Sequence, residues 1–309
     1  KIYAGAPWDT DARSPLLQAG VKEGEYLLAV NHVKVDPSKD PWAAFRGLAD
    51  RLVTLTISGS PSEDASAREI MLRPLESERH LRYRAWIERN RRYVEEQTEG
   101  TVGYIYVPNT HDDGIRDLSR YFYGQIHKAA LIIDERWNGG GRGPDRLLEV
   151  LNRPFILQDW IRNAAHCSYP QFAHFGPKCM LINGWAGSGG DNFPYQFRRA
   201  GLGKLIGSRT AGALLAGGST PSLIDGGAIG VPYGAPYGTG GDWVIEGYGV
   251  SPDIEVVDDP ALMVDGGDPQ LDAAIKLMKE EANTRPWKLP TRPASPNRTG
   301  IDFPRAIDR

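Results

Sequence analysis

A chain of 309 residues has room for two domains, possibly three by length alone. With 24% charged residues and a net charge of −3, it offers no electrostatic basis for binding nucleic acid or an anionic membrane. Its longest aliphatic run, 129–133, falls far short of the roughly 20 residues of a membrane span, and two cysteines, Cys167 and Cys179, exclude a disulfide-rich framework and fit a reducing, cytoplasmic setting.

Residues 1–75 form one compositional unit. Residues 14–21 read as a short helix stopped by Gly20, and 22–25 as a polar turn. Positions 29–30, 33, 35 and 52–58 read as short strands, several with period-two alternation. The 36 glycines and 23 prolines agree with many turns between short elements. Residues 76–100 form a linker. Within it Tyr83, Trp86, Ile87, Asn90, Tyr93 and Val94 recur at helical spacing, which predicts an amphipathic helix whose aromatic stripe packs on a neighbouring domain. Its arginines (Arg79, Arg82, Arg84, Arg89, Arg91, Arg92) are interleaved with glutamates, the pattern of a solvated helix face rather than of a nucleic-acid contact.

From 101 to 283 strands and helices alternate. Strands are expected at 102–107, 129–134, 179–183, 204–206, 229–233 and 242–246, and helices at 114–127, 144–152, 191–200 and 268–282. The alternation predicts an α/β domain with a mostly parallel sheet, whose site lies where loops leave the carboxyl ends of the strands. Residues 284–309, rich in Pro and Arg and without periodicity, are expected to be extended.

Two strand-to-helix junctions carry the chemistry. In the first, Asn138-Gly139-Gly140-Gly141 follows a buried strand, so the backbone can turn tightly and aim N–H groups at an oxygen; a plain turn fits the same residues. It lacks the Lys-Ser/Thr of a phosphate-binding loop. In the second, Ser188 stands in Gly187-Ser188-Gly189-Gly190-Asp191 between a buried strand and a helix. This is a position for a nucleophile on a tight turn, and equally for a helix N-cap. His166, Cys167, His174 and Cys179 are four potential zinc ligands within 14 residues. The first two are adjacent and the last opens a predicted core strand, so no metal and no cofactor are expected.

The string SPLLQAGVKEGEYLLAVNHVKV, residues 14–35, resembles a PDZ domain of the type found in bacterial-style proteases. The resemblance implies a sheet edge that can add a peptide as an extra strand, although a ligand-free spacer is the other reading. The two glycine-rich junctions, followed by Gly207-Ser208-Arg209-Thr210-Ala211-Gly212, resemble the C-terminal processing peptidase superfamily of serine proteases. That likeness implies a PDZ-like β-rich domain followed by a ClpP/crotonase-like α/β protease domain. Where the Ser–Lys branch carries its lysine, 25 residues after the serine, this chain has Ala213 (213 − 188 = 25), so the pattern excludes a Ser–Lys dyad.

The tricorn branch is closer. Its resemblance implies a Ser–His–Ser–Glu tetrad with Ser188 as nucleophile and Glu246 as the glutamate. It also implies an oxyanion hole from the Gly141 and Gly189 amides, and Asp159 as an S1 aspartate selecting basic P1 residues of peptide substrates across a subunit boundary. A homo-oligomer, hexameric in that branch, is expected. The tetrad histidine is expected before Lys1, outside this chain, since His32, His80, His111, His127, His166 and His174 all stand in non-matching contexts; the alternative is a base from a histidine that the resemblance does not identify. The chain is thus expected to be the C-terminal part of a larger oligopeptide-cleaving enzyme. The competing expectation is a non-catalytic, peptide-binding PDZ module on a degenerate protease fold.

Overall fold

A computed structural model of the chain describes residues 1–6 and 8–295. The chain divides into two units, Lys1–Tyr93 and Val94–Arg309.

In the first unit Ser14 caps a one-turn helix, α1 (Pro15–Gln18): its Oγ accepts the Leu17 N–H, and Pro15 sits at the first helical position, where no N–H is needed. Four antiparallel strands follow: β1 (Tyr26–Val30), β2 (Val33–Lys34), β3 (Val53–Ser58) and β4 (Arg68–Leu72), in the order β2-β1-β3-β4. Asn31 and His32 both take positive φ, the two-residue turn whose twist suits a hairpin. The inward residues of β3, Val53, Leu55 and Ile57, pack with Val21 and Val30 as the core of the unit. Strand β4 was not among the expected elements: Arg68 and Glu69 mask its alternation, yet it pairs along β3 from Val53↔Leu72 to Ile57↔Arg68.

Helix α2 (Arg79–Gln97) contains the boundary between the units. The expected aromatic stripe is corrected here. The buried line is Leu81, Arg84, Ile87, Asn90 and Val94, while Tyr83, Trp86 and Tyr93 are half-buried. Nor are all the arginines solvated, because Arg84 is buried and donates from Nε to Asp9 Oδ2 at 2.8 Å.

The second unit alternates as predicted through β5 (Val102–Tyr106), α3 (Asp112–Tyr123), β6 (Ala130–Asp134) and α4 (Pro144–Leu151), adds an unexpected ribbon of β7 (Leu157–Asp159) with β8 (Cys167–Tyr169), and continues with β9 (Lys178–Ile182), α5 (Gly189–Arg199) and β10 (Gly203–Gly207). After these come the ribbon β11 (Ala216–Ser219) with β12 (Gly230–Gly234), then β13 (Ile254–Glu255), α6 (Pro260–Met263) and α7 (Pro269–Thr284). The main sheet is parallel throughout, ordered β13-β10-β9-β6-β5. Every residue of β5, β6 and β9 is buried, which explains their continuous apolar runs: a parallel sheet covered on both faces has no solvent side to mark with polar residues. Each fully buried Leu, Ile or Val there contributes roughly 1.5–3 kcal/mol.

The carboxyl end of β6 is pinned by charge. Fully buried Arg136 donates to both Asp134 oxygens (2.9 and 2.7 Å) and both Asp268 oxygens (2.8 Å each), and Asp268 also caps α7 through the Leu271 N–H. The residues that follow Arg136 are therefore anchored before the glycine run begins.

Two expectations are corrected in this unit. Residues 242–246 are not a strand: Trp243 makes an isolated bridge with Tyr237, and Ile245 takes φ 75°, turning the chain so that the Glu246 N–H reaches the Val244 carbonyl at 2.9 Å. The closing helix extends to Thr284, and Trp287 beyond it packs against Phe155 and Phe175 with ring centres 5.5 and 4.9 Å apart. Of the expected extended tail, residues 296–309 lie outside the described residues. Among the described residues no helix is long and apolar enough to cross a membrane.

Candidate active site

Loops from the carboxyl ends of four neighbouring strands meet around Ser188. β9 ends at Ile182, and the chain turns through Asn183–Gly187 to place Ser188 at the N-cap of α5 with φ 57° and ψ −115°. A non-glycine residue there holds roughly 1–3 kcal/mol of backbone strain, and Ser188 is exposed. The strain is held by two bonds to the Ser188 N–H, one to Asp191 Oδ2 at 2.9 Å and one to the Ala213 carbonyl at 3.0 Å. Asp191, fully buried in the first turn of α5, also accepts the Gly212 N–H at 2.8 Å and the Ala213 N–H at 3.0 Å. Its negative charge at a helix N-terminus is favoured by the helix dipole.

The loop after β6 lies alongside. Buried Asn138 accepts the Gly140 N–H on its side chain at 2.9 Å and the Gly187 N–H on its carbonyl at 3.1 Å, knitting the two glycine-rich turns together. The approach is close enough to require glycine on both sides. A methyl on Gly189 would stand 2.7 Å from the Gly141 nitrogen, and one on Gly141 would meet Thr110 and His111 within 2.9 Å. Gly141 also has φ 138°. Among the described residues, neither the Gly141 N–H nor the Gly189 N–H has a hydrogen-bond acceptor.

Glu246 joins the cluster through the loop after β10. Its Oε2 accepts the Leu214 and Leu215 N–H groups at 2.7 and 2.8 Å, immediately beyond Ala213, whose carbonyl holds Ser188. Gly247 N–H reaches the Gly212 carbonyl at 2.8 Å. Ser188, Gly141, Gly189 and Glu246 are thus brought together. Asp159 is not: it lies half-buried at the end of β7, in a ribbon separate from the main sheet, opposite Cys167.

Asp191 closes the Gly187–Asp191 string in the sequence but carries no role there of its own, and two further residues of this cluster belong to no motif. Thr110 and His111 follow β5 and flank Gly141, and His111 also caps α3 without a side-chain bond. By contrast His127, His166 and His174 line a cavity of about 560 Å³ that includes Cys167, Lys128 and Gly176, at the opposite, amino ends of β6 and β9. Burial and the nearby Lys178 hold the His174 imidazole down to about 3, and its Nε2 bonds the Lys128 carbonyl at 3.0 Å. Cys179 is buried in β9, and burial pushes its thiol well above the usual range. No group of three or more His, Cys, Asp or Glu side chains among the described residues is arranged to hold a metal ion.

A parallel α/β domain with a serine on a strained strand-to-helix turn, preceded by a small antiparallel unit, is the layout of a class of serine peptidases. Within that class this chain belongs to peptidase family S41, whose family model matches residues 101–256; the model of the tricorn protease PDZ domain matches residues 1–77. The chain is 34% identical over 297 residues to the tricorn protease of Thermoplasma acidophilum, covering 95% of this chain and 27% of that protein. It is 36% identical over 284 residues to tricorn protease homolog 1 of Streptomyces coelicolor, covering 91% and 26%. The crystal structure of the tricorn protease superposes with a TM-score of 0.82 at 33% identity, over 92% of this chain and 28% of that one. The chain therefore spans about a quarter of the length of these relatives.

Proposed function

We propose that this chain is the PDZ and catalytic portion of a tricorn-like serine peptidase that cleaves oligopeptides. Ser188 Oγ attacks the scissile carbonyl carbon, and a histidine carried outside this chain takes the hydroxyl proton and passes it to the leaving amine. Water then releases the acyl group by the reverse exchange. The Gly141 and Gly189 amides receive the oxyanion of each tetrahedral intermediate; a donor in such a pocket is worth roughly 3–4 kcal/mol. Glu246, with one oxygen committed to the backbone, uses the other to orient the base through the second serine of the tetrad. Asp159 accepts a Lys or Arg side chain at P1, serving the site of a neighbouring subunit in a homo-oligomer, and the two unpaired cysteines accord with the cytoplasm.

The observation that carries this reading is the left-handed Ser188 turn, with two glycine amides beside it that have no acceptor. It is tested by incubating the full chain with a mixture of basic and apolar peptides, with and without added imidazole as a substitute base, and reading products by mass spectrometry. Cleavage by the wild type that is absent in Ser188→Ala supports a peptidase. Peptide binding with no cleavage under any condition supports instead a binding module on a degenerate protease fold.

A further inference from the structure

The loop after β5 places a side chain where neither the motif nor the tetrad needs one. Thr110 donates its N–H to the Gly140 carbonyl at 2.8 Å and accepts the Gly143 N–H on its own carbonyl at 2.8 Å, so its backbone is tied on either side of Gly141. Its side chain is fully buried, and Oγ1 has no hydrogen-bond partner among the described residues. A methyl on Gly189 would come within 2.1 Å of that oxygen, and one on Gly141 within 2.8 Å. The hydroxyl therefore fills the space between the two glycines whose amides are themselves unpaired. Buried hydroxyls nearly always use their hydrogen or a lone pair. Packing alone does not call for an oxygen here, since valine has the same shape and leaves no polar group unsatisfied.

We propose that Thr110 is a positioning residue of the oxyanion pocket, a role that rests on the reading of Gly141 and Gly189 as its two donors. The side chain sets the spacing of the two glycine backbones. The hydroxyl rotates freely, so its dipole turns toward negative charge held between them, and this polar group finds its use only when that charge develops. An interaction gained in the transition state and absent from the resting protein raises the rate of the chemical step rather than the affinity.

The experiment uses the full chain, a fluorophosphonate and added imidazole as the general base. Ser188 Oγ forms a bond to phosphorus, the P–F bond breaks, fluoride leaves and the hydroxyl proton passes to solvent; the phosphoryl oxygen of the adduct takes the oxyanion position. Inactivation rates are measured for wild type, Thr110→Val and Thr110→Ser, alongside thermal melts. Thr110→Val is expected to lower the maximal inactivation rate about tenfold with the half-saturating concentration unchanged, while its melting temperature equals or exceeds that of wild type. Thr110→Ser is expected to stay within about twofold of wild type. Equal rates in wild type and Thr110→Val overturn the proposal. So does a rate loss accompanied by a lower melting temperature, which would mark a packing residue. A wild-type chain that takes no adduct at Ser188 overturns the nucleophile assignment, and this proposal with it.

Discussion

The Asp191 carboxylate accepts the Ser188 amide hydrogen at 2.9 Å from within the helix that Ser188 caps. With its bonds to the Gly212 and Ala213 amides, one buried carboxylate fixes both the Ser188 turn and the loop that passes behind it. Asparagine can accept on only one side-chain atom and presents N–H donors on the other, so a backbone N–H would face another donor. Asp191→Asn should cost about 2–4 kcal/mol in urea unfolding and should slow covalent labelling of Ser188. An unchanged unfolding midpoint would show that the carboxylate does not hold the turn.

Glu246 separates structure from chemistry. Glutamine keeps an oxygen for the Leu214 and Leu215 amides, so Glu246→Gln should melt within about 2 °C of wild type while losing the charge proposed to orient the base. The expected loss in kcat/KM is about 10- to 100-fold. Unaltered turnover would assign Glu246 to the loop alone.

Asp159 is the test of substrate choice. If Asp159 pairs with a P1 cation as proposed, Asp159→Asn should lower kcat/KM for Lys and Arg at P1 by about 100-fold, with little change for apolar P1. Equal losses for both substrate classes would remove Asp159 from the specificity pocket. Mixing Asp159→Asn with Ser188→Ala chains should restore part of the activity on basic substrates if the residue serves a neighbouring subunit.

His174 makes the fold sensitive to acid. Its imidazole ordinarily titrates near 6.5 and, buried beside Lys178, only near 3. Between these pH values the unfolded chain binds more protons than the folded one, so stability falls as pH drops from 6.5 toward 3, by roughly 3–4 kcal/mol in all. Urea unfolding at a series of pH values should show this slope in wild type and a flatter one in His174→Gln. Parallel slopes would place the acid sensitivity elsewhere.

What the sequence reveals follows from how local each feature is. The strands of the main sheet announce themselves because burial on both faces demands unbroken apolar runs, as in Leu131–Ile133 and Met180–Ile182. The glycine-rich turns are legible for the same reason: close approach of two backbones leaves little choice of residue at Gly141 and Gly189. Features set by distant partners are not legible. Arg84 looks solvated until Asp9, 75 residues away, is seen to pair with it. Residues 242–246 alternate like a strand, but the Gly212 carbonyl and the Leu214 and Leu215 amides reward a turn that presents Glu246 instead. Thr110 and His111 belong to no motif and acquire meaning only from the glycine they flank.

The location of a covalent adduct tests most directly whether Ser188 is the nucleophile. Wild-type chain treated with a fluorophosphonate, digested and mapped by mass spectrometry should carry one adduct, on Ser188, and Ser188→Ala should carry none. The wild-type rate should rise with added imidazole, which acts as a general base toward the hydroxyl. An adduct on any other serine, or equal labelling of Ser188→Ala, would show that Ser188 is not the nucleophile.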